Sequence, residues 1–467
     1  MNFQKDHQRS GERLFSLTEG EAIVHRDKSG KVSPNWLCAC EQERILTKRI
    51  MDQVADPLNL QKAYRRVKAN NGKGGVDGME VNDLGRWLRE NLNTLRRELM
   101  EGIYAPSAVR GVKIPKPQGG YRQLGIPTVK DRLVQQAIQQ VLNKRYEKIS
   151  SERSYGFRPN RSAHNALAQA GVYVRSGKVW VVDLDLEKFF DEVNHHRLMW
   201  LLSTRIGDER LLQLIHRFVK SGIMEGGLIS QRIKGTPQGG PLSPLLSNIV
   251  LDELDKEMER RGYSYVRYAD DVKIFVNHEE KAIRTLSSIS DFIASRLRLK
   301  VNRKKSRICR SIDLDFLGHN IYPSGQPGLS LNSEARMKKR IKGITSRNRG
   351  VSLKQVLHDL QHYLRGWLEY FKGAKMLKKM ERIDRWLRRK LRCYRLKQCK
   401  RAIGIVRWLR GLGVEQTLCW RTALSGKSWW RLSNSPALSI GATNQWFHSQ
   451  GYYSVHDQYR ALHRTLL

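Results

Sequence analysis

The sequence contains little cysteine, no long apolar run and comparatively few acidic residues. Its six cysteines among 467 residues include no CxxC pair. Neither a zinc site nor a disulfide framework is therefore indicated, and a reducing cytoplasm is the expected compartment. No apolar stretch reaches the roughly 20 residues that a membrane-spanning helix needs. The N-terminus is polar and charged, unlike a secretory signal, so no membrane partner is expected.

The shortage of acidic residues leaves a large excess of positive charge. Lys and Arg number 85, Asp and Glu number 45, and the formal net charge is +40. An excess of this size indicates a polyanionic partner, and RNA or DNA fits better than a membrane surface. An ordinary soluble protein that happens to be basic is the alternative at this point.

Two adjacent aspartates stand in a segment with hairpin character, Tyr268-Ala269-Asp270-Asp271. Like charges this close repel and stay hydrated, so both cannot enter a dry core, but both can face one cavity and share divalent cations. A third carboxylate, Asp185, follows an apolar strand, and Asp183 is its neighbour on the same strand face. A lone Asp-Asp pair is more often a solvated turn. The third carboxylate and the net charge favour a polymerase site instead.

Phosphodiester synthesis requires carboxylates in such an arrangement. A 3′-hydroxyl must become nucleophilic, and the triphosphate that it attacks must be neutralised. Two Mg²⁺ ions about 3.5–4 Å apart perform both tasks, and hard cations prefer carboxylate oxygens. A sheet that places the end of the Asp185 strand beside the Asp270–Asp271 hairpin therefore predicts a site for two Mg²⁺ ions.

Changes in composition divide the chain into five segments. Strands alternate with helices over about 100–320, which indicates a sheet domain of mixed α and β structure. Beyond Pro327 the pattern is helical and strongly basic, with 16 Lys and Arg between Lys372 and Arg410. The predicted segments are a flexible leader, an N-terminal extension, a sheet domain, a basic helical domain and a Trp- and Ser-rich C-terminal segment, at residues 1–45, 46–108, 109–325, 326–415 and 416–467.

The motifs of the sheet domain resemble those of the reverse transcriptase family, in the order that the family shows. They are VRGVKIPKPQGGYRQLGIP, SYGFRP, LDLEKFFD, GTPQGGPLSPLLSNIVLDELD, YADD, LRLKVNRKKS and DFLGH. Each motif alone is weak, but the series is specific. The resemblance implies an α+β fold, a right-hand polymerase whose fingers and palm carry the aspartates on a β-sheet, followed by an α-helical thumb or maturase domain.

The resemblance also assigns roles to individual residues. Catalysis falls on Asp185, Asp270 and Asp271, and the metal site is expected to comprise these three and Leu186. Asp185 is preferred to Asp183 because the family's ribose-excluding aromatic follows the metal ligand by five residues, which places it at Phe190. A core aromatic is the alternative role for Phe190.

Further residues are expected to bind the incoming nucleotide. Lys116 and Arg122 flank the fingers turn, where a cation can grip the triphosphate. A solvated hairpin is the alternative for both. Gln238, in a glycine-rich loop, would approach the template and the incoming base, and Lys305 is a further candidate near the phosphates.

The flanking segments resemble those of group II intron-encoded proteins. Residues 62–79 are similar to the N-terminal block of these proteins, and residues 362–371 are similar to their thumb or maturase domain. The aromatic residues of the C-terminal segment, a possible DNA- or RNA-binding region, are expected to pack rather than to stack on bases. No CxxC follows the thumb, so an HNH endonuclease module is not expected. The residues expected to meet RNA phosphates are Lys378, Lys379, Arg382, Arg385, Arg389 and Arg392, with a solvated basic helix as the alternative.

The sequence therefore predicts an RNA-directed DNA polymerase that binds its group II intron RNA. By implication it assists splicing as a maturase and supports intron mobility by target-primed reverse transcription. Its expected partners are the intron RNA, a DNA target or primer and dNTPs, with two Mg²⁺ ions as cofactors. The alternatives are a domesticated reverse transcriptase in DNA repair or defence, and an RNA-binding splicing cofactor without polymerase activity.

Overall fold

The computed structural model describes residues 48–115, 119–225, 227–230 and 232–464. The leader predicted at residues 1–45 lies outside these ranges. Among the helices of these ranges, we find none that could span a bilayer.

Helices and strands alternate through the first two thirds of the described chain, and helices alone follow. The strands are β1 (Val109–Pro115), β2 (Tyr121–Ile126), β3 (Trp180–Asp185), β4 (Ile223–Glu225), β5 (Leu228–Ser230), β6 (Ser264–Tyr268), β7 (Asp271–Val276), β8 (Arg307–Arg310), β9 (His319–Ile321) and β10 (Pro327–Leu329). The helices before the thumb are α1 (Ile50–Val54), α2 (Pro57–Asn70), α3 (Leu84–Met100), α4 (Val129–Tyr146), α5 (Ala163–Arg175), α6 (Phe189–Glu192), α7 (His195–Ser203), α8 (Glu209–Lys220), α9 (Ser243–Arg260) and α10 (Glu279–Ser295). The remaining helices are α11 (Leu331–Ile344), α12 (Leu353–Phe371), α13 (Leu377–Gln398), α14 (Ala402–Arg410), α15 (Gln416–Ala423), α16 (Trp429–Leu432), α17 (Pro436–Gly441), α18 (Asn444–Ser449) and α19 (Val455–Arg464).

Local sequence signals explain where several of these elements begin and end. Helix α2 starts after Asp56, whose carboxylate accepts hydrogen bonds from two backbone amides that have no partner within the helix, and Pro57 supplies a preset φ. The helix ends at Asn71, which has a left-handed φ of 42° and opens the glycine-rich segment predicted to break the helix. Helix α5 begins with a capping box between Ser162 and Asn165.

The fingers are built on a sheet with the strand order β2-β1-β4-β5. β1 and β2 form the antiparallel hairpin that the sequence predicts, from Arg110 opposite Ile126 to Pro115 opposite Tyr121. β1 also pairs in parallel with β4, so the β4–β5 hairpin extends the same sheet.

The palm is a second sheet with the order β6-β7-β3-β8, in which every neighbouring pair is antiparallel. Side chains alternate between its two faces because strands have a period of two. One face, with Val182, Leu184 and Ile274, enters the main core, which also contains side chains of α1 to α4. On the opposite face, Val181 and Phe275 are covered by apolar side chains of α5. The antiparallel pairing confirms an α+β fold.

The thumb and the C-terminal segment share one apolar core. Leu357, Leu387 and Leu391 of the thumb helices lie in it together with Leu438 and Phe447 of the C-terminal segment. Buried Asp384 of α13 joins the two parts, because its carboxylate accepts four hydrogen bonds from the C-terminal segment. The donors are Tyr452 Oη, Ser454 Oγ, Val455 N and His456 N. The aromatic residues of the C-terminal segment largely pack against the thumb.

Candidate active site

The register of the palm sheet brings the three candidate catalytic aspartates together. Asp185 is the last residue of β3 and lies directly opposite Asp271, the first residue of β7. Asp270 and Ala269 form the two-residue turn that joins β6 to β7. Ala269 has a φ of 59°, a left-handed conformation that a non-glycine residue adopts at a cost of about 1–3 kcal/mol. Strained turns of this kind are concentrated at functional sites.

Negative charge is crowded on this face of the sheet. Burial raises the pKa of the Asp185 carboxyl; Lys305 opposes this effect, and the nearby Asp270 carboxylate adds to it. Burial also raises the pKa of Asp271, where Lys273 acts in the opposite direction and two neighbouring aspartates add to the rise. A bound cation would therefore favour the ionised form of both carboxyl groups, which burial disfavours.

The structure distinguishes Asp185 from Asp183, which share a strand face. Lys273 is buried opposite Asp183 and donates to the carboxylates of both Asp183 and Asp271. Arg307 of β8 donates to the second oxygen of Asp183 at 3.4 Å. Both oxygens of Asp183 thus face cations of the protein. Within the described ranges, Asp185 forms a single ion pair, with the exposed side chain of Lys305 at 3.8 Å, so its carboxylate is less neutralised by the protein than that of Asp183.

Leu186 can contribute to a metal site only through its backbone, because its side chain lies in the main core. Residues 300–302 pair with this stretch through two backbone hydrogen bonds, from Asn302 N to the Asp185 carbonyl and from Glu187 N to the Lys300 carbonyl, and neither bond uses the carbonyl of Leu186. Within the described residues no three acidic, His or Cys side chains already converge as a metal cage. An open set of carboxylate and carbonyl oxygens suits Mg²⁺, which keeps several waters and binds substrate phosphates as well.

Three of the predicted nucleotide-binding residues are connected across the fingers and palm. Arg122 of β2 donates through Nε to Gln238 Oε1 at 2.6 Å. Gln238 in turn donates to Oδ1 of Asp191, the residue that follows Phe190, at 3.2 Å. The Phe190 carbonyl accepts from the amide of Thr236 at 2.7 Å, so the glycine-rich loop is held against the short helix α6.

The ring of Phe190 and the side chain of Lys305 lie outside these hydrogen bonds. Phe190 is half-buried and packs edge-on against Phe189, with ring centroids 5.4 Å apart. Lys305 is on the Asp185 side of the site, as the ion pair shows. Lys116 lies outside the described residues.

An ion pair beneath the aspartate turn was not predicted from the sequence. Arg267 of β6 and Asp255 of α9 are both fully buried and form two parallel hydrogen bonds. The remaining guanidinium nitrogen of Arg267 donates to the carbonyl of Ala269 and to Asn248 Oδ1, each at 2.9 Å. Arg267 therefore holds the turn that carries Asp270. In the sequence, the pair could have been recognised from an arginine and an aspartate at positions where the strand and helix patterns place apolar core residues.

The predicted RNA-binding residues of α13 fall into two groups. Lys378, Arg382 and Arg385 are exposed. Lys379 is half-buried and donates to the carbonyl of Leu329 at 2.9 Å. Arg389 and Arg392 are also half-buried and donate to carbonyls of the C-terminal segment, those of Trp430 and Ala442 respectively.

Comparison with known proteins identifies the family of this chain. Residues 114–321 match the family model described as "Reverse transcriptase (RNA-dependent DNA polymerase)", and residues 335–410 match "Group II intron, maturase-specific domain". Protein YkfC of Escherichia coli (strain K12) is 31% identical over 363 residues, which cover 69% of this chain and 94% of that protein. The chain belongs to the group II intron-encoded reverse transcriptases.

This reverse transcriptase also resembles longer proteins over part of their length. Group II intron-encoded protein LtrA of Lactococcus lactis subsp. cremoris is 37% identical over 195 residues, which cover 42% of this chain and 32% of LtrA. Among solved structures, a chain of the partial Cas6-RT-Cas1–Cas2 complex is 25% identical, with a TM-score of 0.34 and coverage of 52% of this chain and 42% of that chain.

The family assignment establishes the reaction class. The protein is an RNA-directed DNA polymerase with a maturase domain. Its substrates are nucleic acids, and enzymes of its family use divalent metal ions.

Proposed function

We propose that this enzyme copies its group II intron RNA into DNA, with Asp185, Asp270 and Asp271 as the catalytic residues. The observation that supports this most strongly is the register that sets Asp185 opposite Asp271 and leaves Asp270 in the adjoining turn. The enzyme also assists splicing and supports mobility by target-primed reverse transcription from a DNA primer. The cysteines within the described ranges are unpaired, which supports a cytoplasmic location.

Two Mg²⁺ ions would be held by the carboxylates of the three aspartates and by the carbonyl of Leu186. When bound, these ions neutralise charge on the triphosphate and lower the pKa of the 3′-hydroxyl. Lys273 supports this assignment, because it contacts Asp183 as well as Asp271. If Asp271 turns toward a cation, Lys273 keeps a carboxylate partner and is not left as an unpaired buried charge.

The incoming nucleotide would lie between the fingers hairpin and the aspartates. Lys116, Arg122 and Lys305 would contact its phosphates, and Gln238 would approach the base pair. The hydrogen bonds from Arg122 to Gln238 and from Gln238 to Asp191 support a shared pocket, because they tie the fingers strand to the residue beside Phe190.

Replacing Phe190 with Val is expected to admit ribonucleotides. The smaller side chain leaves room for a 2′-hydroxyl, and a group of this size in an apolar pocket changes selectivity by roughly 10–200-fold. The measurement is the ratio of kcat/KM for dNTPs to that for rNTPs on one RNA template. Phe189→Leu is the matched control, because Phe189 is buried in the main core, and we expect it to lower stability without changing sugar selectivity. Unchanged selectivity in Phe190→Val would return Phe190 to a packing role.

The exposed part of α13 is the proposed intron-binding surface. Alanine at Lys378, Arg382 and Arg385 is expected to weaken RNA binding and to reduce its dependence on salt. The slope of log affinity against log salt concentration should become less steep by about 2–3, because each lost phosphate contact reduces the slope by about 0.7–0.9. Alanine at Arg389 and Arg392 is expected to lower stability instead, because both hold the C-terminal segment. Salt titrations and thermal unfolding of both variants separate the two effects. Equal salt slopes for the two variants would contradict this division of the helix.

Primer extension tests the proposed function directly. The purified protein is given a DNA primer on an RNA template, dNTPs and Mg²⁺, and extension is compared with Ca²⁺ in place of Mg²⁺. Extension with Mg²⁺ alone, together with binding of the intron RNA encoded beside the gene, is the expected result. Tight intron binding without extension would instead support the splicing cofactor without polymerase activity.

A further inference from the structure

The thumb contains a large basic cavity that is separate from the polymerase site. It has a volume of about 940 Å³ and lies between the loop before α12, the last turns of α13, helix α14 and the C-terminal segment. Its position along α13 separates it from the palm. Lys379 contacts β10, whereas Arg395 lines the cavity 16 residues later, which corresponds to roughly 24 Å of helix.

The charge of this cavity is entirely positive. Its lining includes five cations and no Asp or Glu: Arg347, Arg395, Lys397, Lys400 and Arg407. All except Arg395 are exposed. Among the described residues, no acidic side chain forms an ion pair with any of the five. The positive field also reaches nearby Lys390, whose pKa is lowered by burial and by the charges of Lys342 and Arg347. Because these positive side chains lie close together without acidic partners from the protein, the cavity favours binding of a polyanion.

Aromatic side chains lie among these cations. Trp408 and Trp446 line the cavity and meet edge to face, with ring centroids 5.8 Å apart. The guanidinium of Arg395 lies over the Trp408 ring at 5.5 Å. Arginine planes and tryptophan rings between phosphate-binding cations are the groups on which unpaired bases stack.

The backbone at the rim is strained. Lys400, in the turn between α13 and α14, has a left-handed φ of 59°. A non-glycine residue pays about 1–2 kcal/mol for this conformation, which glycine adopts without cost. The same turn is closely packed, because a Cβ on Gly404 would approach the Cys399 carbonyl to 2.3 Å. A cation therefore occupies a position whose φ favours glycine.

We propose that this cavity, the thumb cavity, binds an unpaired segment of the intron RNA. The cations bind successive phosphates, and one base stacks on the tryptophans and Arg395. This inference rests on the proposed function, because it names the part of the RNA that the maturase domain holds. RNA is favoured over a DNA strand because most of the lining falls within residues 335–410, the segment that matches the maturase-specific family model.

The test uses the full chain with its polymerase cleft filled by a saturating primer–template duplex. The probe is a fluorescent oligouridylate of about ten nucleotides, within the range that such sites occupy. Charge reversal of Lys400 and Arg407 to Glu is expected to weaken its binding at least about tenfold and to lower the salt slope by about 1.4, two contacts at about 0.7 each. The matched control reverses Arg410 and Arg421, exposed residues outside the cavity lining, and is expected to bind within about twofold of wild type.

A second variant separates binding from folding. Lys400→Gly removes the cation and relieves the strained φ, so we expect unchanged or higher thermal stability together with weaker oligouridylate binding. A probe that carries 4-thiouridine should crosslink to peptides containing Trp408 or Trp446. Equal weakening by the cavity pair and the control pair, or crosslinks confined to the palm, would overturn the proposal. Tighter binding of oligothymidylate than of oligouridylate would assign the cavity to DNA and would also overturn it.

Failure of this inference can be told apart from failure of the proposed function. If the wild-type protein extends primers and binds intron RNA, yet the cavity variants bind oligouridylate normally, only the thumb cavity proposal is wrong. If the wild-type protein neither extends primers nor binds intron RNA, the proposed function itself is wrong.

Discussion

Replacing Asp185 or Asp270 with Asn is expected to abolish DNA synthesis, with kcat lowered at least about a thousandfold. Asparagine keeps the size of the side chain but loses the charge that holds a divalent cation. Binding of intron RNA and splicing should stay within about twofold of wild type, because the proposed RNA-binding residues lie on the thumb. Single-turnover primer extension, RNA binding and a splicing assay on the same preparations measure the three quantities. An equal fall in splicing would contradict the proposed separation of roles.

Asp183→Asn is the matched control, since Asp183 lies on the same strand and face two residues away. Its carboxylate is already paired with Lys273 and Arg307, and Lys273 retains Asp271 when it is lost. We therefore expect a fall in kcat of about tenfold or less, caused by altered positioning of Asp271. A loss as large as that of Asp185→Asn would place a metal ligand at Asp183 and contradict the assignment of Asp185.

The sequence predicts the pairing of the aspartates and, through the family resemblance, prefers Asp185 to Asp183, but the physical difference between the two carboxylates is visible only in the structure. Alternation along a strand shows that both face the same side and says nothing about what lies opposite. Lys273 and Arg307 make this difference, and they stand 90 and 124 residues from Asp183 in the chain. Such distant partners are set by strand order and register, which a local pattern does not contain.

The thumb shows a similar limit of pattern reasoning. The helical period correctly separates the apolar face of α13, with Ile383, Leu387 and Leu391, from its basic face. It cannot show that the C-terminal segment covers part of the basic face. Arg389 and Arg392 therefore looked equivalent to Arg385 in the sequence, although their guanidinium groups donate to carbonyls of that segment.

The largest change in stability is expected at the ion pair beneath the aspartate turn. Arg267→Met leaves the buried carboxylate of Asp255 without its partner, and breaking such a pair lowers the free energy of unfolding by about 3–5 kcal/mol. Urea denaturation measures this change. Glu280→Gln is the control, because Glu280 and its partner Arg284 are both largely exposed, and we expect a loss of at most about 1 kcal/mol. Equal losses in the two variants would contradict the importance of burial.

A double variant, Arg267→Met with Asp255→Leu, separates the contribution of this pair to stability from its contribution to catalysis. Replacing both charges with apolar groups of similar volume is expected to recover most of the lost stability. The carbonyl of Ala269 and the side chain of Asn248 still lose their donor, so the strained turn is no longer held from below. DNA synthesis should therefore remain low while the protein is folded, and kcat should fall more than KM rises. A stable double variant with wild-type kcat would show that the position of Asp270 does not depend on Arg267.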